Sequence, residues 1–509
     1  MTLARTIMVQ GTGSSVGKSV LVTGLCRLFA EDGWRVAPFK AQNMSNNAVV
    51  TADGGEIGVA QAVQAAAAGI PATVDMNPVL LKPEGPAVSQ VVVRGRAVGR
   101  MGAREYHQWR RRLWPVVRRS LGDLRAGHDL VVIEGAGSPA EVNLRATDLV
   151  NMRVARAADA PVLLVADIDR GGALAALVGT LALLTPTDRR RVRGLVINRF
   201  RGDRSLLEPG LDFLERRTRR PVVGVIPWLD QLAVPPEDSL ELGGPGGRPV
   251  APAPGATLDV AIVRLPRVAN FDEFWALERE PGVRVRWVAR AADLGDPDLC
   301  ILPGSKATLA DLAALRAGGL AAALGAVVER GTACLGICGG YQMLGEEVAD
   351  PAGLEGSPGA MPGLGLLPVR TVLEARKVVR RVRVRVRPVA GLLAAAAGVE
   401  LSGYEIHQGR ARRTAPLGSA PAPFTAAGRP EGAVAAGGWV LGSHLHGLLH
   451  DATLRRALLG AVARRRGRRW APGAPPALDG AGQVAAALRE HLDLDRVRSW
   501  IGGAPCSPR

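Results

Sequence analysis

Two short stretches of this chain set reactive side chains among glycines. The first runs Gly11, Thr12, Gly13, Ser14, Ser15, Val16, Gly17, Lys18 and Ser19. Glycines allow backbone N–H groups to close around a phosphate, and the start of a helix favours the anion they hold. Lys18 is spaced to reach terminal phosphates and the Ser19 hydroxyl to ligate Mg²⁺, so the stretch reads as a nucleotide-phosphate loop. The second stretch is Gly336-Ile-Cys338-Gly339-Gly340, which follows an apolar run. Small neighbours permit a sharp strand-to-helix turn that presents the thiol, and a helix N-terminus raises its thiolate fraction. Such a nucleophile needs a base within hydrogen-bond reach. His446 is the candidate and His444 its competitor; two residues apart on one strand they would share a face, so spacing does not choose. Gly304, in Leu302-Pro-Gly-Ser305-Lys306, and Gly339 could turn backbone N–H groups toward an oxyanion.

Magnesium takes oxygen ligands and keeps several waters. Glu134 opens the run Glu134-Gly-Ala-Gly-Ser-Pro-Ala-Glu141 at the C-terminal end of an expected strand, where ligands of open α/β sheets collect. It is the first carboxylate candidate, and Glu56, in Gly54-Gly-Glu-Ile-Gly58, is the second. Asp167-Ile-Asp169-Arg170-Gly171-Gly172 adds two acids and a guanidinium at another strand end. Asn198 ends a further strand, where it reads either as an adenine-recognising amide or as a plain turn residue.

These residues need elements to position them. Apolar runs at Thr6–Gln10, Arg35–Lys40, Leu130–Glu134, Val162–Asp167, Gly194–Asn198 and Val222–Ile226 do not alternate, as strands covered on both faces should not. Helical stretches separate them, the pattern of a parallel sheet with crossover helices. A second α/β pattern opens with Asp259–Leu265 and continues through Cys300–Pro303 and Ala333–Ile337. The expected fold class is therefore α/β with two parallel-sheet domains. Boundaries fall at 1–240 for a phosphate-binding synthetase domain, 241–256 for a Gly/Pro-rich linker, 257–452 for the thiol domain and 453–509 for an Arg-rich extension. Val378 to Arg387 alternates Val and Arg at period two, which reads as a half-exposed strand rather than a basic substrate rim.

At 509 residues the chain is long enough for more than one domain. Its net charge of +17 comes from arginine scattered through every segment. No basic stripe is interleaved with aromatics, so nucleic acid is not an expected partner. Cys26, Cys300, Cys334, Cys338 and Cys506 show neither metal-ligand nor disulfide spacing, which points to a reducing compartment. Gly171–Leu184 is too short for a membrane span, and Met1–Gln10 reads as a first strand and not a signal peptide. A cytoplasmic protein that acts on small molecules, with no membrane partner, is expected.

The phosphate loop, one residue longer than the usual pattern when counted from Gly11, resembles the dethiobiotin synthetase branch of P-loop proteins. The chain as a whole resembles the cobyric acid synthase family. The signatures are Gln10-Gly-Thr with Val16-Gly-Lys-Ser19, Phe39-Lys-Ala-Gln-Asn-Met44, Glu134 to Glu141, Asp167 to Gly172 and Arg264-Leu-Pro-Arg267. To these are added Pro303-Gly-Ser-Lys306, Cys338-Gly-Gly-Tyr-Gln342, Gly403-Tyr-Glu-Ile-His407 and His446-Gly447, in order along the chain. The resemblance implies ATP and Mg²⁺ as cofactors, and amidation of the b, d, e and g carboxylates of adenosylcobyrinic acid a,c-diamide with nitrogen from L-glutamine. It implies a Cys338 thioester that releases ammonia, and an acyl phosphate that ammonia attacks. Lys40, Gln42, Asn43, Asn46 and Asp148 are then the residues expected on the corrin or carboxylate side.

The chain departs from the wider glutaminase pattern at Leu448, where a Glu often stands two residues after the His; either another group orients the imidazole, Glu405 and His407 being at hand but neither favoured, or the site is a Cys–His pair without a third member. The sister enzyme that amidates the a and c carboxylates reads Gly-Pro-Asp-Tyr where this chain has Ala41-Gln-Asn-Met44, which favours cobyric acid formation. A P-loop ATPase with a protein or DNA partner would leave Cys338 and His446 with no chemistry to perform.

Overall fold

Strands buried on both faces form two parallel sheets in the computed structural model. It describes residues 3–502 apart from 86, 230, 231, 233, 236–256, 415–420 and 475–478. The linker expected at 241–256 and Cys506 lie outside the described residues.

The first sheet has six strands, in spatial order Val222–Pro227, Val192–Phe200, Val162–Asp167, Arg5–Gly11, Leu130–Glu134 and Val36–Phe39. Every pairing in it is parallel. Arg5–Gly11 is central and runs straight into the phosphate loop. Its two neighbours end beside that loop in Glu134 and Asp167, which is how an open α/β sheet gathers ligands. The second sheet orders Val283–Val288, Leu258–Val263, Leu299–Leu302, Ala333–Ile337, Val440–Ser443 and Ala433–Val434. Its first five strands are parallel and its last pairing is antiparallel. Ala333–Ile337 delivers Cys338 at its C-terminal end.

Smaller sheets join the halves. Gln42–Met44, Val79–Pro83, Val88–Val93 and Arg96–Gly102 form a four-stranded sheet in the first half. In the second half Val378–Val386, Glu400–His407 and Leu445–His446 belong to a five-stranded antiparallel sheet. Val382, Val384 and Val386 are buried and Arg381, Arg383 and Arg385 are exposed, so the Val–Arg alternation is a half-exposed strand. Ala48, Val50, Leu80 and Val92 pack against Tyr404 and Ile406 across the boundary between the halves.

The segment after residue 452 is not an extension. Helix Ala452–Arg465 buries Leu454, Leu458, Leu459 and Val462 in the core of the second half. Helices Gly480–His491 and Leu494–Trp500 return to the first half, where Val484, Leu488, Leu492 and Val497 join the core around helix Lys18–Glu31. Gly24 marks the closest approach: a Cβ there would stand 2.3 Å from Val484 Cγ1. The arginine content of the segment hides an apolar face at helical spacing. Among the described residues, no single helix is long and apolar enough to cross a membrane.

Leu488 is fully buried. Leu488→Ala is expected to destabilise the first half by about 2–5 kcal/mol, from lost burial plus the cavity left behind. Chemical denaturation should show the transition of the nucleotide-binding half moving to lower denaturant; an unmoved midpoint would contradict the packing described.

Candidate active sites

The phosphate loop is built as its glycines require. Gly17 sits at φ 93°, in the left-handed region, at the cap of helix Lys18–Glu31. Asn198 Nδ2 donates to Val16 O at 2.8 Å, and a Cβ on Gly17 would lie 2.2 Å from that nitrogen. Asn198 therefore braces the loop from beneath through one of the two N–H groups of its amide. Lys18 is buried and its Nζ donates to Gly13 O at 2.7 Å and Gly137 O at 3.4 Å.

Ser19 Oγ donates to Glu134 Oε1 at 2.8 Å. Lys40 Nζ lies 2.7 Å from the same oxygen, and Gln64 Nε2 donates to Glu134 Oε2 at 2.6 Å. Gln64 Oε1 is buried without a hydrogen-bond partner in this cluster. A hydroxyl, a carboxylate and an orphaned amide oxygen side by side are hard donors that suit Mg²⁺. Among the described residues no group of three or more His, Cys, Asp or Glu could hold a metal, so an ion here needs phosphate oxygens and water as further ligands.

Glu56 is not a metal ligand in this arrangement. It is fully buried, with Lys82 Nζ 2.5 Å from Oε1 and Lys377 Nζ 2.6 Å from Oε2. Lys377 belongs to the second half, so Glu56 ties the halves together. Asp148 accepts from the backbone N–H groups of Val150, Asn151 and Arg153, the last of these in the first turn of helix Met152–Ala158. Gln42 accepts a hydrogen bond from the Tyr106 hydroxyl, Asn43 Nδ2 donates to Gln61 at 3.1 Å and Asn46 Nδ2 donates to Pro83 O at 3.0 Å. Asn46 Oδ1 is buried without a partner. Asp167 pairs with Arg199 at 2.9 Å and Asp169 with Arg201 at 3.3 Å.

In the second half Cys338 stands at φ 52°, ψ −110°, a strained turn for a residue with a Cβ. It caps the helix Gly339–Leu344 and is 7% exposed. Tight packing fixes this turn: a Cβ on Gly340 would fall 1.9 Å from Leu302 O, and one on Gly339 would fall 2.8 Å from Ser305 N. The same packing sets the backbone of Gly304 and Ser305 beside Gly339 and the thiol.

The backbone separates the two histidines. The strand Val440–Ser443 ends before His444, and Leu445–His446 pairs instead with Glu405 and Tyr404 of another sheet. The two imidazoles therefore face different surroundings. His444 stacks on His407 at 4.1 Å between centroids and lies 3.4 Å from Glu431. His446 lines the same cavity as Cys338, whose Sγ donates to Ile406 O at 3.5 Å, and its Nδ1 lies 2.9 Å from Glu273 Oε1. Tyr404 stacks on its ring at 5.3 Å. Burial alone would lower the imidazolium pKa; the Cys338 sulfur and the Glu273 carboxylate outweigh it and raise it to about 10.

Glu273 thus occupies the third place that Leu448 leaves empty. Glu405 is paired with Arg380, and His407 stacks on His444 rather than on His446. Glu273 is fully buried and its other oxygen accepts from Gly447 N at 3.3 Å. Its place in Asn270-Phe-Asp-Glu-Phe274, directly after Arg264-Leu-Pro-Arg267 at a strand end, was the available signal. A separation of 173 residues from His446 removed any help from spacing.

Glu273→Gln is expected to lower kcat for ammonia release from glutamine by about 10²-fold, a typical acid–base contribution. Because the carboxylate holds the imidazolium pKa up, the alkaline limb of the pH profile should move to lower pH. An unshifted limb in steady-state ammonia assays would remove Glu273 from this role.

Residues 7–242 match the CobQ/CobB/MinD/ParA nucleotide binding domain, and residues 259–453 match the CobB/CobQ-like glutamine amidotransferase domain. A cobyric acid synthase of Sorangium cellulosum is 52% identical, over 98% of this chain and 96% of its own length. A cobyric acid synthase of Moorella thermoacetica is 47% identical, over 98% of each chain. One from Rhodococcus jostii is 50% identical over 98% of this chain and 96% of its own. A nucleotide-binding half and a glutaminase half, joined as in these relatives over nearly the whole length, place the chain in the cobyric acid synthase family of glutamine-dependent amidoligases.

Proposed function

We propose that the chain converts the b, d, e and g carboxylates of adenosylcobyrinic acid a,c-diamide to amides, one glutamine and one ATP at a time. The observation that carries this reading is the pairing, in one chain, of a buried Cys338–His446–Glu273 arrangement with a phosphate loop whose Ser19 contacts Glu134. A thiol that frees ammonia and a loop that activates a carboxylate need each other.

In the glutaminase half the Cys338 thiolate attacks the glutamine amide carbon. Backbone N–H groups at Gly304 and Gly339 face the oxyanion that forms, in the manner of preorganised donors. His446, a cation held by Glu273, gives its proton to the leaving ammonia. Water, deprotonated by the now neutral imidazole, then cleaves the thioester to glutamate. In the synthetase half a substrate carboxylate oxygen attacks the terminal phosphorus of ATP and ADP leaves. Lys18, whose Nζ donates to Gly13 O within the phosphate loop, and Lys40, beside Glu134, would offset the charge that collects. Ser19 and Glu134 would hold Mg²⁺, which neutralises phosphate charge when bound. Ammonia then adds to the acyl phosphate, and inorganic phosphate departs as the amide forms.

Incubation of adenosylcobyrinic acid a,c-diamide with the protein, Mg·ATP and glutamine should give four successive OH-to-NH₂ exchanges by mass spectrometry. An unchanged corrinoid with ammonia still released would direct attention to another carboxylate. Cys338→Ser should keep synthesis with ammonium salts and lose it with glutamine, whereas Lys18→Ala should lose both. Loss of synthesis from both nitrogen sources in Cys338→Ser would contradict separate sites for the two half-reactions.

A further inference from the structure

Glutamine brings two charges into the Cys338 pocket besides its amide, an α-carboxylate and an α-ammonium. A buried charge without a partner is costly, so the pocket wall must answer both. That wall includes Lys306, Glu355 and Lys377 of the glutaminase half, and also Lys82 of the synthetase half, all on one cavity with Cys338 and His446. Lys82 is 2% exposed and extends from the strand Val79–Pro83.

The lysines outnumber the acids behind them. Lys82 and Lys377 share the single carboxylate of Glu56. Lys306 Nζ lies 2.5 Å from Glu84 Oε1, but Glu84 also pairs with Arg100. Burial first, and then the neighbouring Lys82 and Lys306, push the Lys377 ammonium down to about 8 despite Glu56. A cavity that crowds cations to this degree is relieved by an incoming anion. Glu355 has the complementary problem. Its carboxylate accepts from Thr308 N at 2.5 Å, and burial pushes it up to about 7 even though Lys306 is near. An incoming cation would relieve it.

We propose that glutamine is held by both halves of the chain, its α-carboxylate among Lys82, Lys306 and Lys377 and its α-ammonium against Glu355. The glutaminase pocket is then incomplete without the synthetase half, and Lys82 is a specificity-determining residue contributed across the domain boundary. The inference rests on the glutaminase reading of Cys338.

The test uses full-length protein and compares ammonia release from three substrates. These are L-glutamine, L-glutaminamide, in which a neutral amide replaces the α-carboxylate, and glutaramic acid, which lacks the α-amino group. The ratio of kcat/KM for glutamine over glutaminamide should fall by about tenfold or more in Lys82→Met, and recover in large part in Lys82→Arg. Lys306→Met should reduce the same ratio from the other half. Glu355→Gln should instead reduce the ratio of glutamine over glutaramic acid. Each ratio is taken within one variant, so loss of folded protein cancels. Ratios unchanged in Lys82→Met and Lys306→Met would overturn the proposal. No ammonia release from glutamine by the unsubstituted chain would overturn the glutaminase reading itself.

Discussion

A carboxylate with no access to water, held between ammonium groups from two domains, governs how this molecule is assembled. Glu56 is fully buried, and burial by itself would raise its pKa; Lys377 and Lys82 reverse that and hold it at about 2, ionised. Replacing Lys377 by a neutral residue would leave that buried charge with Lys82 as its one ammonium partner, which costs far more than losing an exposed ion pair. Arg267 Nε donating to Glu84 O at 2.6 Å and the apolar cluster of Val50, Leu80, Tyr404 and Ile406 extend the same seam. The two sheets are thus fixed against one another by groups that cannot be left unpartnered.

That seam reaches the chemistry through the short helix that carries Glu273. Asn270 Nδ2 donates to Ala48 O at 2.9 Å, and Asp272 N approaches Asn47 Oδ1 at 3.5 Å. Both partners are on the synthetase side, immediately after the loop of Gln42 to Asn46. The acid that orients His446 therefore rests on a segment whose other face belongs to the neighbouring domain. A rearrangement of Asn47 and Ala48 would be felt at the imidazole without any part of the glutaminase core having to move.

Local sequence patterns were readable where the chemistry is local. The phosphate loop and the Cys338 turn each lie within a few residues, and their glycines state the backbone geometry outright. The choice between His444 and His446 was not legible, because the period-two argument assumed a strand that continues, and the chain bends at His444. Glu273 was missed because tertiary packing, not spacing, brings it to His446. The place of Glu56, read as a second metal carboxylate, was not legible because its two lysine partners come from distant segments, and its glycine neighbours permit close packing: a Cβ on Gly55 would lie 2.2 Å from Val74 Cγ1. The final helices were masked by their arginines, although Val484, Leu488, Val497 and Ile501 carry a buried face.

The return of those last helices to the first sheet bears on how the chain is made. Domains of most multidomain chains fold in turn as they leave the ribosome. Here the face of helix Lys18–Glu31 that receives Val484 and Leu488 must wait, uncovered, while the entire glutaminase half is translated. The nucleotide-binding domain is thus first to be made and last to be finished. A gene divided at the boundary between the two halves would separate that domain from helices Gly480–His491 and Leu494–Trp500, and fusion of the two functions in one reading frame supplies them in fixed stoichiometry.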